Sequence, residues 1–176
     1  MKDRELTAPN KKNGIIAYLL LILWVLLLFH FSNQPFQQQD VEPLLQRVIA
    51  EEQLMALLPK VEFHYGNSFV TYTKPYRFTQ FFIRKGAHLF VYGILGYLLV
   101  QVATLLILKK TKAILAALYI AGVVAYFDEY NQGLSPNRTG SVYDVGLDLI
   151  GASLGISLFW VVIWLANMRK SKELAK

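Results

Sequence analysis

The sequence contains no cysteine, and that absence removes disulfides, thiol nucleophiles and Cys-ligated zinc or iron–sulfur centres from consideration. Charge is scarce as well: 17% of the residues are Asp, Glu, Lys or Arg, against about 25% in an ordinary globular chain. Neither phosphate-cradling glycine pattern, GxGxxG or GxxxxGK[ST], occurs, and HExxH is missing too. There is no internal repeat and no low-complexity tail. What fills the space is apolar. Hydrophobic residues make up 55% of the 176 and mean hydropathy is positive, which points to a bilayer as solvent. A net charge of +6 would suit nucleic acid, but the basic residues border apolar runs and do not form an amphipathic face, so no nucleic-acid partner is expected.

Four runs are candidate membrane spans, since roughly 18 or more apolar residues are needed to cross hydrocarbon. They cover about 14–31, 86–108, 113–131 and 145–166. Ser32-Asn33-Gln34-Pro35 follows the first and offers no small-x-small cleavage site, so that run reads as an uncleaved span. The expected class is an all-α membrane protein, a bundle of four transmembrane helices (14–167) between tails 1–13 and 168–176. An outer segment, 32–85, separates the first two spans. Within it, Val41 to Leu58 places Val41, Leu44, Leu45, Val48, Ile49 and Leu57 on one helical face, which predicts a single amphipathic surface helix. Val61 to Tyr65 and Ser68 to Thr73 read as two β-like runs about Gly66-Asn67.

Lys and Arg accumulate in cytoplasmic loops. In a four-span arrangement Lys2, Arg4, Lys11, Lys12, Lys109, Lys110, Lys112, Arg169, Lys170, Lys172 and Lys176 share one side; Arg47, Lys60, Lys74, Arg77, Arg84, Lys85 and Arg138 share the other. The excess predicts a plasma-membrane protein with both termini cytoplasmic.

The polar residues then gather at the extracytoplasmic ends. The third run is short, so Asp128 and Glu129 fall at or below the outer interface, and Gln132 lies one turn above Asp128. In the fourth run Asp144, Asp148, Gly151 and Gly155 share a face, with the two glycines forming a notch for a close-packed neighbour, within the chain or in a homo-oligomer. Arg84 and His88, with Tyr92 beyond, make a polar stripe beside Lys85 at the start of the second run. Ser32, Gln34, Arg84, Lys85, His88, Tyr92, Asp128, Glu129, Gln132, Arg138, Asp144 and Asp148 are therefore the candidate ligand-binding set. Intramembrane ionisable groups are costly, so they pair, function, or both. Pairing alone would take the form of Arg84 with Asp128 or Glu129, and Arg138 with Asp144. Asp128, Glu129, Asp144 and Asp148 would suit a hard cation, but their spacing matches no defined metal loop, so no metal and no other cofactor is expected.

The strings Arg84-Lys85-Gly86-Ala87-His88-Leu89-Phe90-Val91-Tyr92, Asp128-Glu129-Tyr130-Asn131-Gln132, Pro136-Asn137-Arg138 and Asp144, with Phe31-Ser32-Asn33-Gln34 after the first run, resemble the signature of VanZ-like membrane proteins. Asp148 stands where the family pattern is expected to carry asparagine. The resemblance implies a Gram-positive envelope protein similar to one linked to teicoplanin resistance, and it implies no known reaction.

Two functions fit these residues. In the first, the protein engages an anionic lipid or lipid-linked cell-wall precursor at the outer leaflet and contributes to glycopeptide resistance; Arg84, Lys85 and Arg138 grip phosphate, for which the guanidinium fork is suited. In the second, it is a membrane-embedded hydrolase or transferase acting on such a lipid, with His88 or Glu129 transferring a proton and Asp144 orienting His88; His88, Glu129 and Asp144 are then catalytic.

Overall fold

The computed structural model describes residues 11–66, 68–106, 109–134 and 140–173. Its elements, in chain order, are α1 (Lys11–Ser32), α2 (Glu42–Val48), α3 (Glu51–Leu57), β1 (Glu62–Tyr65), β2 (Ser68–Thr71), α4 (Pro75–Leu106), α5 (Lys110–Leu134) and α6 (Val142–Glu173). Four of the helices, α1, α4, α5 and α6, are long and apolar enough to cross a membrane. The chain is a multi-pass membrane protein. Large apolar side chains such as Ile15, Leu19, Leu26, Leu115, Ile120, Leu154 and Leu158 lie exposed along these helices, as lipid-facing residues do when every backbone polar group is satisfied inside its own helix.

The second span starts eleven residues earlier than continuous apolarity suggests. Pro75 is the start signal, because its missing N–H costs nothing in the first turn, and the Phe78 N–H bonds back to the Lys74 carbonyl at 2.9 Å. At 1.5 Å per residue the extra length adds about 16 Å. Arg84 and Lys85 are thus interior helical residues two to three turns from the helix start.

The surface helix is two helices. The chain is extended at Ile49 and Ala50, where the Tyr76 hydroxyl donates to the Ile49 carbonyl at 2.9 Å, satisfying an acceptor that the break releases. Glu51 and Glu52 then occupy the first turn of α3, where negative charge complements the helix dipole. The expected hairpin forms: β1 and β2 are antiparallel, with Glu62 opposite Thr71 and Tyr65 opposite Ser68. Gly66 takes φ +57°, a left-handed conformation open to glycine.

α4 is the central element, packed against α1, α5 and α6. It runs parallel to α6 at a crossing built from small residues: Gly151 lies against Leu89, Gly155 against Gly93, and Gly96 against Ala152. The notch of Gly151 and Gly155 is therefore occupied within the chain by α4. α5 contributes a stripe of alanines, Ala113, Ala117, Ala121 and Ala125, each fully buried. That stripe continues directly into Asp128, Glu129 and Gln132, so the same small side chains that admit close packing steer the acids inward.

Candidate functional site

The ends of α1 and α5, the start of α6 and the third to fifth turns of α4 meet at one end of the bundle. Asp128, Glu129, Gln132, Asp144 and Asp148 are all at most 4% exposed. His88 Nδ1 lies 3.0 Å from Asp148 Oδ1. Tyr92 donates its hydroxyl to Asp128 Oδ2 at 3.2 Å. Arg84 donates to the Gln132 amide oxygen at 2.9 Å, and Lys85 pairs with Asp144 in a short contact. Glu129 Oε2 accepts the Ser141 N–H at 2.8 Å, an approach that Gly140 permits by lying directly on the Glu129 carbonyl. Asn131 donates to Ser32 Oγ at 3.3 Å and to Asn33 Oδ1 at 2.8 Å, tying α5 to the end of α1. Gln34 accepts from Gln39 at 3.3 Å.

Two pairings differ from expectation. Among the described residues Arg84 forms no ion pair with Asp128 or Glu129; its partner is the neutral Gln132. The reason is register: Arg84 lies a full turn nearer the bundle end than His88, level with Gln132, while the acids lie deeper. Asp144 orients Lys85 and not His88, and Asp148, one turn further in, is the carboxylate that holds His88. Arg138 lies outside the described residues.

Several participants escape a reading of the sequence. Tyr65 arrives from the hairpin, donating to Asp144 Oδ1 at 2.8 Å while its ring lies 4.5 Å beneath the Lys85 ammonium. Burial, followed by the Asp144 hydrogen bond, pushes the Tyr65 phenol above its ordinary pKa and keeps it a donor. Phe81 completes the aromatic wall, edge-on to both Phe63 and Tyr65. No spacing rule links residue 65 to residue 144. Ser141 was findable: Ser141-Val142-Tyr143-Asp144 has the S-x-x-[DE] form of a helix start, and the Ser141 hydroxyl accepts the Tyr143 N–H at 3.3 Å. The letters Gly151-Ala152-Ser153-Leu154-Gly155 also match G-x-S-x-G, but Ser153 is exposed in mid-helix with its hydroxyl on the Leu149 carbonyl at 2.7 Å, without the strand-to-helix turn that makes a nucleophile.

Beside the acids a cavity of about 450 Å³ opens between α1, α4 and the segment after α1. Leu28, Phe31, Ile83 and Val91 form an apolar wall; Ser32, Gln34, Arg84, His88, Asp128 and Gln132 form a polar end. One side of the cavity is thus apolar and the other polar.

Fold and site together define a polytopic membrane protein with a buried polar centre at one end of its bundle. The VanZ/LLP1 family model matches residues 15–164, and the chain belongs to that family. No curated protein and no solved structure matches it.

Proposed function

We propose that this VanZ-family protein binds an anionic envelope lipid or lipid-linked cell-wall precursor, with its phosphate at the polar end of the cavity and its chain along the apolar wall. In this reading both termini are cytoplasmic and the site faces the outer leaflet, as the distribution of Lys and Arg favours. The observation that carries the reading is Arg84. A guanidinium at the edge of an amphiphilic cavity, hydrogen-bonded to a neutral amide instead of a carboxylate, keeps its charge for an incoming phosphate and the fork geometry to meet two of its oxygens. Gln132 and Gln34 supply neutral polar contacts. Retention of such a precursor would reduce glycopeptide access to it, which accounts for the resistance that the family resemblance implies.

The test is native mass spectrometry of the purified protein with its co-purifying lipids, comparing the unaltered chain with Arg84→Ala. A defined anionic lipid on the unaltered chain and its loss from the variant is the expected result; identical lipid profiles overturn the reading. In a susceptible Gram-positive host, expression raises the teicoplanin concentration needed to stop growth, and Arg84→Ala does not.

A second reading, a hydrolase or transferase acting on the same lipid, draws on the His88–Asp148 contact. That contact fixes the imidazole in one orientation at the cavity wall, an arrangement suited to proton transfer. It requires that the purified protein convert the retained lipid and that His88→Gln bind it without turnover.

A further inference from the structure

Three buried carboxylates and one imidazole converge from three helices beneath the cavity. His88 comes from α4, Asp128 and Glu129 from α5, and Asp148 from α6, and one ligand atom from each lies within 4.8 Å of all the others. Each carboxylate spends one oxygen on the protein: Asp128 Oδ2 on Tyr92, Glu129 Oε2 on Ser141 and Asp148 Oδ1 on His88. The other oxygen of each, Asp128 Oδ1, Glu129 Oε1 and Asp148 Oδ2, is buried and without a hydrogen-bond partner among the described residues. Buried acceptors are rarely left so, and three in one spot share one remedy. Charge says the same. Lys85 is paired with Asp144 and Arg84 bonds to a neutral amide, so among the described residues His88 is the one basic side chain bonded to any of these three acids.

We propose that His88, Asp128, Glu129 and Asp148 bind a divalent cation. Ligand atoms about 2.0–2.2 Å from a common ion lie roughly 3–4.4 Å apart, so the observed cluster closes on an ion with side-chain shifts well under an ångström. If His88 ligates through Nδ1, its hydrogen bond to Asp148 Oδ1 gives way to the ion, and the 3.0 Å between the two atoms is already such a ligand–ligand spacing. One imidazole with three carboxylates suits Mn²⁺ or Zn²⁺ better than Mg²⁺ or Ca²⁺, which favour oxygen alone. Tyr92 and the Ser141 N–H act as outer partners that orient the ligating carboxylates. Asp128 and His88 also line the cavity, which gives the ion a route in. The sequence expectation of no metal came from contiguous spacing; a ligand set drawn from three helices leaves no such trace.

The inference stands apart from the lipid reading, because uptake is measured with metal alone. The full chain in detergent is stripped with EDTA, dialysed against Mn²⁺ or Zn²⁺ separately, and assayed for bound metal by elemental mass spectrometry and for melting temperature. Asp148→Asn and Glu129→Gln are the near-isosteric variants, with Glu42→Gln at the surface ion pair with Arg77 as control. The expected result is about one equivalent of one of the two ions, with a rise in melting temperature on loading. Both responses are at least tenfold weaker in the two site variants and intact in the control. No uptake by the unaltered chain overturns the proposal, as does unchanged uptake in both site variants. Should a site variant fail to fold, stoichiometric uptake and the melting shift of the unaltered chain decide alone.

Discussion

The α4–α6 crossing makes a sharp prediction, since the same substitution, Gly→Ala, should have opposite signs at different positions. A Cβ at Gly151 would stand 2.6 Å from the Leu89 carbonyl oxygen and 3.1 Å from its Cα; one at Gly96 would stand 2.7 Å from Ala152 Cα. Carbon atoms settle at about 3.5–4.0 Å, so α4 and α6 must part by roughly 1 Å at either place. Forcing a packed contact open in this way costs about 1–3 kcal/mol. Leu89 adjoins His88, and Gly151 follows Asp148 by one turn, so the same displacement stretches the 3.0 Å His88–Asp148 contact beyond hydrogen-bonding range. Gly86 and Gly146 have nothing within 4 Å of an added Cβ. There alanine gains helix propensity, about 0.4–1 kcal/mol. Thermal melting of the four single variants in one detergent should therefore order them in two groups, Gly96→Ala and Gly151→Ala below the parent, Gly86→Ala and Gly146→Ala at or above it. Equal melting of Gly151→Ala and the parent would refute the close-packed crossing as the element that sets the site.

Tyr65→Phe deletes a hydrogen bond to a charged acceptor and should cost about 1–2 kcal/mol by thermal melting. Because the folded phenol has a raised pKa, its contribution is fully present below the unfolded value of about 10 and is lost as pH rises beyond it; the variant should lose less stability than the parent over that alkaline range. Lys85→Met leaves the buried Asp144 with Tyr65 alone and should cost about 3–5 kcal/mol, the penalty of an unpaired buried charge. Adding Asp144→Asn should recover most of that loss, and a double variant as unstable as Lys85→Met would contradict the pairing.

Apolar run length and the ends of those runs carried the bundle, and each of its four helices begins before the limit that apolarity alone marks. α4 is the clearest case: Tyr76 to Lys85 mixes Arg77, Gln80, Arg84 and Lys85 with aromatics, and a hydropathy reading stops there although Pro75 declares the helix start. The one-face pattern of Val41 to Leu58 was real in spacing, but tertiary hydrogen bonding from Tyr76 to Ile49 favoured a break that periodicity cannot see. For the site, helix periodicity placed Asp128 with Gln132 and Asp144 with Asp148, while the depth of each side chain had to come from packing. Whether Arg84 met an acid or an amide depended on a single turn of register between α4 and α5. Tyr65 was invisible for a different reason: it reaches Asp144 through a hairpin that folds over the bundle end, a contact 79 residues apart in sequence.

The cavity and the acid cluster share His88 and Asp128, so a headgroup in the one and an ion in the other, as proposed above, would not act independently. At ~5 Å and an effective dielectric of ~20, one phosphate charge and one carboxylate repel by about 3 kcal/mol, which is roughly a hundredfold in affinity. A phosphate held by Arg84 meets that repulsion from each of the three buried acids if they stay uncompensated, which weakens the grip of a single guanidinium. A divalent ion among the acids reverses the sign, adding an attraction where the phosphate would meet a barrier. Lipid retention should therefore depend on metal: native mass spectra of protein taken through EDTA should show the anionic lipid depleted, and reloading with Mn²⁺ or Zn²⁺ should restore it, with neutral lipids unaffected by either step. Retention that survives metal removal unchanged would mean that Arg84 reads the headgroup without an ion among the acids.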